Sequence, residues 1–177
     1  MKRLVVLILA SIMILTSGAA FAEKLYVGTD TAFVPFEYKG KDGKYTGFDI
    51  ELWAEIAKRI VVEYELKPMD FTVLIPGLTT GNLDVALAAI FIKAAREEKI
   101  DLSHPYCSAG RKVSVSADNK DIKAPADRKG KVVAVKLGTA TVEYVETLGA
   151  KKVVKCPSID QAYLEVVTGG ADAAMHD

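Results

Sequence analysis

The stretch Gly81-Asn-Leu-Asp-Val-Ala-Leu-Ala-Ala-Ile90 decides the fold. A glycine turn closes whatever precedes it, and the unbroken apolar run from Val85 to Ile90 is what a strand buried on both faces of a parallel sheet requires. Close to the other end of the chain, Gly169-Gly-Ala-Asp-Ala-Ala174 has the same plan, a glycine turn leading into an apolar strand. Two copies of one α/β unit follow from that repeat.

Working outward from the first copy, Leu25 to Thr29 read as a strand, and Asp49 stands where a helix N-cap belongs. Ile50, Trp53, Ile56, Ala57 and Ile60 then recur at helical spacing. A β-like segment spans Glu63 to Leu66, and Pro76 is placed to open a short helix that Gly81 ends. The order is β-α-β-α-β. The second copy runs through a strand at Lys131 to Lys136, a helix over Thr141 to Leu148 and a strand at Lys152 to Lys155. Ser158-Ile-Asp-Gln161 is a capping box for a helix to about Thr168, and Asp172 to Met175 form the last strand. Between the copies, Asn119 to Gly130 read as a charged surface connection.

Lys2 and Arg3, an apolar run from Leu4 to Leu15 and the small-residue exit Ala20-Phe21-Ala22 make residues 1–22 a cleavable secretory signal. No later stretch reaches the roughly 20 apolar residues of a membrane helix. The 177-residue chain has a formal net charge of +0, so nothing in it would neutralise a polyphosphate, and nucleic acid is excluded as a partner. Export would carry Cys107 and Cys156 into an oxidising compartment, where they either pair or remain separate thiols.

In open parallel sheets, ligands bind beyond the carboxyl ends of the strands. That rule selects Asp30 after the first strand, Phe91 and Ile92 after the third, Lys136 at the end of the second unit's first strand, and His176-Asp177 after its last. Arg96 lies close by in sequence. A set with both signs of charge suits a zwitterion: the guanidinium matches a carboxylate in two places, and an ammonium needs an acid. Phe33 and Phe71 could cover an aliphatic stem. Taken singly, Asp30 also suits a turn cap, Arg96 a solvated helix charge, Lys136 a strand-end charge, and the phenylalanines a core. No nucleophile–base pair, metal-ligand spacing or phosphate loop is present in the sequence, so neither an enzyme nor a metal or cofactor is expected.

These residues sit in stretches that resemble the periplasmic amino-acid-binding proteins of ABC uptake transporters, solute-binding protein family 3, and within it the glutamine binders. The matching stretches are Val27-Gly-Thr-Asp-Thr-Ala-Phe-Val-Pro-Phe-Glu37, Gly47-Phe-Asp49, Tyr64-Glu-Leu-Lys-Pro-Met-Asp-Phe71, Gly130-Lys-Val-Val-Ala-Val-Lys136 and Ala171-Asp-Ala-Ala-Met-His-Asp177. The resemblance implies a two-lobed, periplasmic-binding-protein-like (type II) α/β fold, monomeric in the periplasm, that closes on an amino acid and docks on an inner-membrane ABC permease. Lobe 1 would span 23–108 and lobe 2 109–177, with a hinge crossing at Tyr106 to Gly110.

By the same resemblance, Asp30 and Lys136 would read a side-chain amide, Phe33 and Phe71 would sandwich the stem, Arg96 would hold the α-carboxylate, and Asp177 the α-ammonium. His176 would line the second lobe. Where the family usually has Ala-Gly-Ile-Thr, this chain has Ala88-Ala89-Ile90-Phe91, and Leu137 and Ala140 stand where the family often has Ser and Gly. Losing the one threonine hydrogen bond costs about 1–3 kcal/mol. Family members also continue past the His-Asp pair to complete the second lobe and return to the first, so a C-terminally truncated form is expected. Two other readings fit the same residues: a shortened remnant that binds nothing, and an amino-acid dehydratase on this scaffold with Lys136 or His176 as acid.

Overall fold

The computed structural model describes residues 24–177, and the signal reading at residues 1–22 lies outside the described residues. β1 (Leu25–Thr29) is the middle strand of a three-stranded parallel sheet, flanked by β5 (Tyr64–Pro68) and β6 (Val85–Leu87). Successive residues of β1 face opposite sides, and each side is covered by one helix. Val27 packs against Trp53 and Ala57 of helix α1 (Phe48–Ile60). Gly28 faces the other way, toward Leu74 of helix α2 (Phe71–Thr79) and Leu83; a Cβ there would stand 2.5 Å from a Leu83 methyl. Glycine is what lets that helix and turn lie so close to the strand.

Three local expectations change. Gly47, not Asp49, precedes α1, and Asp49 is buried in the first turn at 1% exposure. Pro76 lies inside α2 rather than at its start; the helix begins after Asp70, and Gly81 (φ 73°) does follow its end. β6 stops at Leu87 instead of running to Ile90, because Ala89 turns to φ 42° and gives its N–H to Asp49. Unforeseen were β2 (Ala32–Phe33), β3 (Glu37–Lys39) and β4 (Tyr45–Thr46), a small antiparallel sheet between β1 and α1.

The second unit has strand order β7-β10-β8-β9, with β7 (Lys112–Ser114) antiparallel to β10 (Ala173–His176), and β8 (Val132–Lys136) parallel to both β10 and β9 (Lys152–Cys156). Its core divides by the pleat of β8. Val133 and Val135 meet Val142 and Val145 of one helix (Ala140–Thr147), while Ala134 meets Ile159 and Ala162 of the other (Ile159–Val167). Ser158 accepts the Gln161 N–H at 3.2 Å, as the capping pattern requires. The connection before β8 is not wholly superficial, since Ile122 and Arg128 are buried.

Between Leu87 and Lys112 the chain passes from one sheet to the other through a short helix, α3 (Ala94–Glu97). With α3 counted, the helices at 140–147 and 159–167 are α4 and α5. The architecture is two-lobed and α/β, each lobe a sheet with a helix on either face. Cys107 is exposed and Cys156 buried, and they are unpaired. No described helix is long and apolar enough to cross a membrane.

Candidate functional site

Each strand end delivers its residue to the seam between the lobes. From the first lobe come Asp30 after β1, Phe33 in β2, Phe71 at the start of α2, Ala88, Ala89 and Phe91 after β6, and Arg96 from α3. The second supplies Lys136 at the end of β8, Thr139 and Ala140 at the start of α4, and His176 and Asp177 at the end of β10. These twelve residues line one cavity; Ile92, which the strand-end rule also selected, is not among them and is exposed. The cavity has room for about one water molecule, far less than an amino acid needs.

Charge is matched across the seam. Asp30 and Lys136, each 2% exposed, form a direct ion pair between the lobes. Removing either partner would strand a buried charge, the costly case for such pairs. Arg96 is 7% exposed, not a solvated helix charge; it donates to the Phe91 carbonyl at 2.8 Å and to the Gly138 carbonyl of the other lobe at 3.3 Å. Burial lowers its proton affinity, and Asp177 and Glu143 work against that shift. Two cations approach Phe71, with Arg96 5.6 Å and Lys136 5.8 Å from its ring centroid.

His176 stands edge-on to Phe33 at 4.6 Å, joining the lobes by an aromatic contact. Burial holds its pKa below the usual histidine value, which keeps the ring neutral at pH 7. Asp177 accepts from the Thr141 hydroxyl at 2.6 Å, and Arg111 approaches it at 3.7 Å. Outside the cavity, Lys93 donates to both oxygens of Glu143, at 2.6 and 2.7 Å, and so ties α3 to α4.

Sequence reasoning missed Thr139 and Thr141. Both lie just past Lys136, and applying the strand-end rule a few residues further would have reached them. It also missed a buried layer behind the cavity. Glu37 is 0% exposed with neither carboxylate oxygen partnered, and its pKa is pushed up to about 9 by burial first, then by Asp49 and Asp30, with Lys136 opposing. Holding a proton removes the buried charge that its unpartnered oxygens would otherwise carry. Among the described residues no group of three or more His, Cys, Asp or Glu side chains could hold a metal ion.

Two lobes with opposed charges at a shared seam are an arrangement suited to holding a small charged solute. The chain belongs to the bacterial extracellular solute-binding proteins, family 3, whose family model matches residues 25–176. It is 33% identical over 187 residues to the probable amino-acid-binding protein YxeM of Bacillus subtilis (strain 168), covering 99% of this chain and 70% of that one. To the lysine/arginine/ornithine-binding periplasmic protein of Escherichia coli (strain K12) it is 32% identical over 166 residues, 92% of this chain and 64% of the relative. Among solved structures, an ancestral arginine-binding protein bound to glutamine superposes with a TM-score of 0.84 at 41% identity, covering 87% of this chain and 69% of that one. This chain thus spans about two thirds of its relatives' length. Family and relatives are described as solute binders, not as enzymes.

Proposed function

We propose that this protein captures a polar amino acid, glutamine or a close analogue, in the periplasm after signal cleavage, and delivers it to an ABC permease. One observation carries the reading: Asp30 and Arg96 from the first lobe and Lys136 and Asp177 from the second line a single cavity. Arg96 takes the α-carboxylate and Asp177 the α-ammonium. Phe33 and Phe71 cover the stem, with Ala88, Ala89, Ala140 and His176 completing the walls. A side-chain amide both donates and accepts, so it can serve Asp30 and Lys136 together. The lobes are taken as 23–108 and 109–177, and the ligand selects the closed arrangement because both touch it. The relatives' binding of amino acids and the family's extracellular placement support this reading.

The test is calorimetric titration of the chain, freed of residues 1–22, with L-glutamine, L-arginine, L-lysine, L-histidine and L-cystine. One polar amino acid binding at about micromolar or tighter is expected, equivalent to roughly 8 kcal/mol. Absence of binding across the panel would sink the proposal.

A further inference from the structure

Asp49 does not line the cavity, yet it holds what does. Its carboxylate sits in the first turn of α1 and is 1% exposed. One oxygen accepts the Ala89 N–H at 2.8 Å, and the Tyr106 hydroxyl donates to both oxygens at 2.9 and 3.0 Å. Burial raises the Asp49 pKa, and the Ala89 and Tyr106 hydrogen bonds oppose that shift by favouring the carboxylate.

The two main partners belong to different parts of the machinery. Ala89 forms cavity wall and has φ 42°, a left-handed backbone that residues with a Cβ seldom adopt unless something holds them there. Because the peptide unit is planar, pinning its N–H fixes the whole plane between Ala88 and Ala89. Tyr106 lies in the run from Leu87 to Lys112 that carries the chain between the sheets, and its ring stacks on Phe48 at 6.0 Å and 20°. Consecutive residues of α1 therefore grip Tyr106, Phe48 by the ring and Asp49 by the hydroxyl.

We propose that Asp49 is a positioning residue that couples the cavity wall at Ala89 to Tyr106 in the inter-lobe run, so that forming the wall and closing the lobes become one event. The coupling is physical because a single acceptor serves both donors, and a shift of either is felt by the other. This inference rests on the proposed amino-acid-binding function.

Its test uses the full chain, with affinity for L-glutamine and L-arginine measured by calorimetry and the lobe separation read from a probe pair on α1 and α5, recorded without amino acid. Tyr106→Phe keeps the ring stack and removes only the hydroxyl. About ten-fold weaker binding and a broader distribution of lobe separations are expected. Asp49→Asn should weaken binding further, and adding Ala89→Gly should restore part of the loss, since glycine adopts positive φ unaided, while the distribution stays broad. A merely structural role would give no such site-specific relief. The inference is overturned if Tyr106→Phe matches the parent in affinity and separation, or if Ala89→Gly brings no recovery. Should the parent bind no amino acid of the five-member panel, the functional reading fails, and the separations alone decide the coupling: identical distributions in parent and Tyr106→Phe reject it.

Discussion

Glu37 shows how far one side chain can be moved by its surroundings. Its ordinary pKa of 4.5 rises to about 9 in the fold, so between those values the folded protein keeps a proton that the unfolded chain has released. Folding therefore takes up a proton in that window, and stability falls as pH climbs through it, by at most about 1.4 kcal/mol per pH unit. Glu37→Gln should flatten the decline, measured as thermal midpoints between pH 5 and 9; an unchanged slope would show that Glu37 is ionised in the fold. Phe91 offers a second test. Its ring stands where the resembled family carries a threonine hydroxyl, and it lines the cavity while Arg111 lies 5.8 Å from its centroid. Phe91→Thr should tighten L-glutamine binding about ten-fold by calorimetry, the worth of one buried hydrogen bond. Asp30, Phe91, Lys136, His176 and Asp177 were legible because strand ends obey a positional rule, whereas the same rule also picked Ile92, which lies outside the cavity. Asp49 was not legible, since an aspartate ahead of an apolar helix suits a cap and a buried acceptor equally, and only tertiary packing separates the two.

At the level of elements, the glycine-turn repeat proves to be a structural device used twice. Asp84 donates its N–H to the Tyr26 carbonyl at 2.9 Å and accepts the Tyr26 N–H at 2.7 Å; Asp172 makes the same two bonds with Val132, at 2.9 and 2.7 Å. In each lobe the aspartate clasps the start of the neighbouring strand as the chain enters its own, and Gly81 and Gly169, at φ 73° and 79°, make the turn beforehand. Asp172→Ala keeps the N–H bond and loses the other, so a loss of about 0.5–1.5 kcal/mol is expected by urea unfolding, less than a core truncation because the site is exposed. The repeat, the helical spacing of α1 and the Ser158 N-cap were readable because each has a period or a fixed offset, although the Gln161 side chain does not complete the capping box. The small sheet of β2, β3 and β4 was not readable, since strands of two or three residues are too short to show alternation. Pro76 misled for a related reason: proline favours a first turn, but Asp70 had already begun the helix.

For the whole molecule, what matters is how the two lobes meet. Asp30 with Lys136, Arg96 with Gly138 and Lys93 with Glu143 all cross the seam, and none could be paired from sequence because each joins residues far apart in the chain. Gly138 is a close approach: at φ 77°, an added Cβ would stand 3.0 Å from a Thr72 methyl of the opposite lobe. Gly138→Ala should cost about 1–2 kcal/mol from the backbone alone and hold the lobes further apart. Weaker amino-acid binding and a larger radius of gyration in X-ray scattering are the expected results, and parent-like values for both would contradict this account of the seam. The Asp30–Lys136 couple has one more consequence. Its two ions cancel, so an incoming side chain bearing either sign leaves one of them without its counterweight. Under the proposed function the couple would disfavour acids and bases alike, and turning preference toward a basic cargo would require replacing the lysine while sparing the aspartate.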